Sequence, residues 1–218
     1  MDDSGDVVPL PRFARYESRQ KMKTKDIFTF RDAVKQMGPV AFSTMIKPAG
    51  SSCNLDCHYC YYLDKAKQYG GHQVVMSDEL LESYIRQYIE ANDVDVVQFN
   101  WHGGEPLLLG IDFYRKAMLL QQKYADGKRI ENTLQTNGTL INEAWCELFV
   151  ANNFLLGISL DGPADIHDAF RLTKGGRPAF DQVMRAIEMF YHYGACRCPG
   201  VAPPRWQFAG RNPAGREE

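Results

Sequence analysis

The sequence predicts a parallel α/β fold of about four strand–helix units, and three observations carry that expectation. Short apolar or alternating runs recur along residues 40–194, each followed by a segment with apolar residues at three- and four-residue spacing. Each run ends at a polar or glycine-rich loop, the edge at which α/β barrels and sheets gather their active-site residues. The chain, 218 residues at 44% hydrophobic, is long enough to bury one sizeable core.

Residues 1–39 are charge-rich, without sustained periodicity beyond a short helix over 32–37, and read as an N-terminal arm. The first strand is expected over 40–47, ending at Pro48 and leading into the loop with Cys53, Cys57 and Cys60. Ser77 is a candidate N-cap for a helix in which Leu81, Ile85, Tyr88 and Ile89 face a core. The second strand, 95–101, closes at Gly103-Gly104-Glu105-Pro106. A helix over 111–124 then carries Tyr114, Ala117, Met118 and Gln121 at helical spacing, with Gly127 as its stop. The third strand, 130–136, ends at Asn137-Gly138, and Asn142 caps a helix with Trp145, Leu148 and Phe149. The fourth strand, 155–160, is broken by Asp161-Gly162-Pro163, and a last helix over 180–193 presents Val183, Ile187 and Phe190 before Gly194. Residues 195–218 are irregular: four prolines and three glycines interrupt them where a fifth strand is expected.

Composition narrows the function. A formal charge of −2, with Lys and Arg scattered among Asp and Glu, leaves no basic field for phosphates, so no nucleic-acid partner is expected. No apolar run approaches the ~20 residues of a membrane helix. Residues 1–30 lack the apolar centre of a signal peptide, so the expectation is a cytoplasmic protein with no membrane partner. Six cysteines, three of them within residues 53–60, argue against a secreted disulfide framework and for a metal or redox site.

The spacing Cys53-x3-Cys57-x2-Cys60, directly after the first strand, is the strongest chemical signal. Three thiolates on one loop can each hold one iron of a four-iron cluster, whereas structural clusters take four cysteines. The fourth iron is then open to substrate or cofactor, as catalytic metal positions are. The competing readings are a zinc site completed by His58 or His72, or three unliganded thiols; zinc sites usually pair two C-x2-C arms, and this loop has one. Cys146 lies inside a helix and reads as a buried structural thiol, while Cys196 and Cys198 in the irregular tail allow a second cluster only as a remote reading.

The cysteine run, with aromatic Tyr59 immediately before Cys60, resembles the signature of the radical S-adenosylmethionine superfamily. The resemblance implies a partial (β/α) barrel of the radical SAM type and two cofactors, a 4Fe-4S cluster on Cys53, Cys57 and Cys60 and S-adenosylmethionine chelated by the open iron. One electron then cleaves the cofactor to a radical that abstracts hydrogen from substrate. It further implies cofactor contacts at Tyr59, at the backbone of Gly104, at Ser159 (ribose or carboxylate) and at Arg171, whose guanidinium suits a carboxylate. Strand alternation puts Gly157, Ser159 and Asp161 on one face. Gln135 and Asn137 share a face of the third strand and can reach the same lumen; a polar strand end is the plainer reading.

Within the superfamily, Ile46-Lys47-Pro48, the run from Cys53 to Tyr62, Trp101-His102-Gly103-Gly104-Glu105-Pro106, Gln135-Thr136-Asn137-Gly138 and Ser159-Leu160-Asp161-Gly162 resemble anaerobic sulfatase-maturating enzymes over 40–194. That implies oxidation of a cysteine or serine of a partner sulfatase to Cα-formylglycine, with an electron donor such as flavodoxin or ferredoxin. Tyr62 matches a tyrosine near cofactor and substrate, and at His102 the family also carries glutamine. A second reading is another SPASM-type maturase of a different peptide substrate, and a third an inactive metal-binding fragment. The family continues through two more strands, a catalytic aspartate and a SPASM domain with two auxiliary clusters, none of which this sequence contains. No catalytic residue is therefore assigned, and the break after Gly194 is expected to reflect a truncated or frameshifted reading frame.

Overall fold

The computed structural model describes residues 41–62, 65 and 75–194. The arm, with its expected helix over 32–37, and the tail lie outside them, as do His72, Cys196 and Cys198. In chain order the elements are β1 (Met45–Ile46), α1 (Asp78–Ala91), β2 (Val96–Trp101), a 3-10 helix (Pro106–Leu109), α2 (Ile111–Tyr124), β3 (Arg129–Thr136), α3 (Glu143–Ala151), β4 (Leu155–Ile158), α4 (Ala164–Phe170) and α5 (Phe180–His192). The strands form one parallel sheet in the order β1-β2-β3-β4. Sequential order with right-handed crossovers places every connecting helix on the same face, as in a (β/α) barrel and unlike a doubly wound sheet. None of the described helices is long and apolar enough to cross a membrane.

Alternation on the strands fits that one-sided layering. Val97, Phe99 and Trp101 of β2 are buried and lie in register with Ile130, Asn132 and Leu134 of β3, while Gln98 and Asn100 point the other way. Against the buried face pack Leu81, Ile85, Tyr88 and Ile89 of α1, Phe113, Tyr114 and Ala117 of α2, and Trp145, Cys146 and Phe149 of α3. Edge-to-face contacts run from Tyr88 to Phe99 (5.0 Å between ring centroids), from Trp101 to Tyr114 (5.4 Å) and from Tyr114 to Trp145 (5.4 Å), so one aromatic file crosses α1, β2, α2 and α3. Ser77 Oγ accepts from Leu80 N at 3.2 Å and Asn142 Oδ1 from Trp145 N at 3.2 Å, so both expected caps form.

A polar group sits inside this core. Asn132 Oδ1 accepts from Trp101 Nε1 (2.8 Å) and Gln121 Nε2 (2.9 Å), and its Nδ2 donates back to Gln121 Oε1 (2.9 Å). Closing the amides on one another is what lets Gln121 occupy a buried turn of α2.

Several expectations are corrected. β1 has two residues rather than eight, because upstream of Met45 the backbone is held by side chains: Phe42 N donates to Asn92 Oδ1 (3.0 Å), and Thr44 O accepts from Asn100 Nδ2 (3.3 Å). β4 ends at Ile158 rather than at residue 160; Ser159 N still donates to Thr136 O (2.9 Å), after which β3 has ended. The 3-10 helix and α4 were not expected, being too short for a periodicity of their own.

The strand ends are tied at one height. His102 N donates to Ile46 O (2.7 Å), Gly104 N to Gly50 O (3.0 Å) and Glu105 N to Ser52 O (2.7 Å), docking the loop after β2 onto the backbone that leads to the cysteines. The approach is so close that a Cβ on Gly104 would lie 2.0 Å from Ser52 O, and one on Gly103, whose φ is +127°, 2.9 Å from Gly50 O. Two outcomes are expected. Asn132→Ala strands the Trp101 indole N–H and the Gln121 amide and should lower unfolding free energy by ~2–4 kcal/mol in urea titrations. Gly104→Ala should lower it by more than ~3 kcal/mol, since backbone rather than a yielding side chain meets the new methyl group.

Candidate functional site

The three cysteines sit just past β1, on a loop whose folding is set by its neighbours. Cys60 N donates to Cys57 O (2.9 Å), making a turn between those two ligand candidates. Asp56 N donates to Leu172 O (2.8 Å) and His58 N to Phe170 O (3.0 Å), and Leu55 pairs as an isolated bridge with Thr173. The loop is thus pinned to the segment that follows α4. Leu55 and Cys57 are buried against Ala179, with Cys53 and Cys60 half-buried around them.

Burial pushes the Cys57 thiol up to about 11, against the pull of the Arg171 cation, and burial likewise raises Cys53, opposed by the hydrogen bond from Leu55 N. Metal binding at these sulfurs must therefore release protons. Three thiols on one loop offer one donor to each of three irons of a four-iron cluster and leave the fourth iron open.

Glu105, with no solvent exposure, links the neighbouring strand ends. Its Oε1 accepts from Leu107 N (3.0 Å) and Thr136 Oγ1 (2.8 Å), and its Oε2 from Asn137 N (2.8 Å). Burial raises its pKa, and these three donors work in the opposite direction. Asn137 continues the chain: its Oδ1 accepts from Thr139 N (3.0 Å) and Oγ1 (2.7 Å), and its Nδ2 donates to Asn54 Oδ1 (2.9 Å) and faces Cys53 Sγ at 3.6 Å. The sequence alone assigns Glu105 no role, and for Asn137 a polar strand end is its plainer reading. The buried carboxylate reveals itself only when the loop partners are known.

Arg171, with 15% of its side chain exposed, grips Asp161 with both Nε and Nη2 at 2.9 Å. Its guanidinium lies 5.4 Å from the Tyr59 ring centroid, and the Tyr59 hydroxyl donates to Asp161 Oδ2. Burial works against the charge on Asp161, yet the Arg171 and Tyr59 hydrogen bonds outweigh it and hold the carboxyl below its usual value. Burial together with the Asp161 bond drives the Tyr59 phenol up to about 12. Asp161 was not among the expected site residues, although its place on the Gly157 and Ser159 face was the available signal.

Ser159 Oγ accepts from Gln135 Nε2 (3.1 Å). Below this pair, the face of the sheet away from the helices opens onto a cleft of about 710 Å³ lined by Thr44, Asn100, His102, Thr133, Gln135 and Gly157. Tyr62 is buried, with Lys47 Nζ 5.0 Å from its ring centroid and no hydrogen-bond partner for its hydroxyl among the described residues. The structure thus brings Cys53, Cys57, Cys60, Tyr59, Gly104, Ser159 and Arg171 to one edge of the sheet. Cys146 is apart from them, fully buried in the core, where burial lifts its thiol to about 11.

Comparison with known proteins agrees with this geometry. The family profile of the Radical SAM superfamily matches residues 48–198. The chain is 51% identical over 151 residues to the serine-type anaerobic sulfatase-maturating enzyme of Bacteroides thetaiotaomicron, covering 69% of this chain and 36% of that protein. It is 44% identical over 158 residues to the cysteine-type enzyme of Clostridium perfringens, covering 69% and 41%. The structure of native anSMEcpe with bound AdoMet and Cp18Cys peptide superposes with a TM-score of 0.64 at 41% identity, covering 70% of this chain and 40% of that one. The chain thus spans about two-fifths of the length of these relatives. With the three-cysteine loop at the carboxyl edge of a sequentially ordered parallel sheet and a family match over most of its length, the chain belongs to the radical SAM superfamily.

Proposed function

We propose that residues 40–194 hold a 4Fe-4S cluster on Cys53, Cys57 and Cys60, bind S-adenosylmethionine beside it, and act on a polypeptide, oxidising a cysteine or serine of a sulfatase to Cα-formylglycine. The observation that carries the reading is the three-thiol loop pinned between the Gly103-Gly104 turn and the segment after α4, at the carboxyl edge of the parallel sheet. When bound, the cluster and S-adenosylmethionine supply reductive cleavage of the cofactor and abstraction of a hydrogen atom from substrate. The relatives named for sulfatase maturation, and the related structure with AdoMet and a peptide, support the substrate class. A flavodoxin or ferredoxin as electron donor and a cytoplasmic location belong to the same proposal.

The residues divide the work by what their atoms have left to offer. Gly104 N–H is already donated to Gly50 O, so its carbonyl is the group that can accept from the cofactor's amino group. Ser159 takes a hydrogen bond from Gln135 and keeps its own hydroxyl proton for a ribose or carboxylate oxygen. Two N–H groups of Arg171 are spent on Asp161, and the rest of the fork remains for a carboxylate, with Tyr59 stacked against it. Thr44, Asn100, Thr133 and Gln135 line the cleft on which a peptide would lie, and the family resemblance assigns Tyr62, directly after the cysteine loop, as a substrate contact.

Anaerobic reconstitution with iron and sulfide tests the reading. Wild type is expected to bind about four irons per chain and, after reduction, to yield 5′-deoxyadenosine from S-adenosylmethionine. Cys57→Ala should abolish the product, and equal turnover in both proteins would overturn the assignment. A sulfatase-derived peptide carrying Cys or Ser should gain an aldehyde detectable by mass spectrometry. The Asp161–Arg171 pair has its own signature in the metal-free chain. A carboxyl whose folded pKa is depressed stabilises the fold above its unfolded value, ~3.9, and ceases to do so as pH falls through the folded value. The melting-temperature difference between wild type and Asp161→Asn should therefore be full at neutral pH and shrink below about pH 4.

A further inference from the structure

We propose that Asn137 is a positioning residue for Cys53, donating a hydrogen bond from Nδ2 to its sulfur and so setting the reduction potential of the cluster. This rests on the cluster reading above. The amide has only one orientation that satisfies its surroundings: Oδ1 takes two donors from Thr139, so Nδ2 is the end that faces Asn54 Oδ1 at 2.9 Å and Cys53 Sγ at 3.6 Å. Its backbone is fixed independently, by Asn137 N donating to Glu105 Oε2 at 2.8 Å, and the residue is 7% exposed. Cys53 Sγ also receives Leu55 N at 3.4 Å, giving this sulfur two N–H donors. Among the described residues neither Cys57 nor Cys60 receives such a bond at sulfur, so the site is built asymmetrically.

An N–H group aimed at a ligating sulfur stabilises negative charge there. The reduced cluster carries one more electron than the oxidised one, so the bond favours reduction, and its loss moves the midpoint to more negative potential. The side chain thus ties the first cysteine to the residue that follows β3, while the backbone N–H of the same residue is held by Glu105.

The test uses the full chain, reconstituted anaerobically, with the midpoint read by potentiometric titration followed by electron paramagnetic resonance. Asn137→Ala is expected to load iron and sulfide as wild type does, to show a more negative midpoint, and to lose one exchangeable-proton coupling to the cluster on transfer to D2O. Thr139→Ala, which leaves the Nδ2 to Sγ contact in place, is expected to keep the wild-type midpoint. Asn137→Leu keeps the approximate shape and removes the donor without adding a charge, and it reads the same shift where the Ala variant does not load. A loaded Asn137→Ala with the wild-type midpoint and couplings would overturn the inference and leave the cluster reading intact. Failure of both Asn137 variants to load while Thr139→Ala loads would overturn it too, leaving a purely structural role. Wild type without a cluster signal would overturn the cluster reading and this inference with it.

Discussion

A carboxylate removed from solvent holds the working edge of this sheet together. Glu105 starts the 3-10 helix after β2, yet two of its three acceptor contacts reach β3, at the Thr136 hydroxyl and the Asn137 amide. Burying an acidic side chain is costly unless its oxygens are satisfied, and three donors from fixed positions meet that condition. Because Leu107 and Asn137 both contribute backbone N–H groups, a shift of either strand end relative to the other would strip the carboxylate of a partner. The loops that carry Gly104, Cys53 and Asn137 are thereby fixed at one level.

From that clamp the site builds outward in two directions. Toward β1, the glycine pair lets the backbone of the loop after β2 lie against Gly50 and Ser52, so the chain entering the cysteine loop has a defined floor. Toward β4, Asp161 collects the Arg171 fork and the Tyr59 hydroxyl, tying the aromatic before the third cysteine to the far edge of the sheet. The cysteines are held from both sides, while the loop itself is short of regular structure. Contacts of this kind preorganise the three cysteines without regular structure in the loop itself.

The one-sided placement of helices has a chemical consequence. A doubly wound sheet would cover both faces, whereas this one buries Val97, Phe99, Trp101 and Leu134 against helices and leaves Asn100, Thr133 and Gln135 along the cleft on the other face. Among the described residues β4 is an edge, and Leu155 on it is exposed. Strand edges offer unpaired backbone groups.

Much was legible in the sequence because it is local. The period of Leu81, Ile85, Tyr88 and Ile89, the caps at Ser77 and Asn142, and the alternation on β2 depend on neighbours a few residues away, and each is realised. The three-cysteine spacing, too, is local, and together with the flanking motifs it carries the family resemblance. What tertiary structure alone decided is the pairing of polar groups distant in sequence: Glu105 with Asn137, Asn137 with Cys53, Arg171 with Asp161 and Tyr59. It also decided that β1 shrinks to two residues, since side chains of Asn92 and Asn100 capture the backbone that a ladder would otherwise hold. Periodicity reports which face of an element is buried; it carries no information on which buried polar atom meets which. That is fixed only when the strands are set side by side.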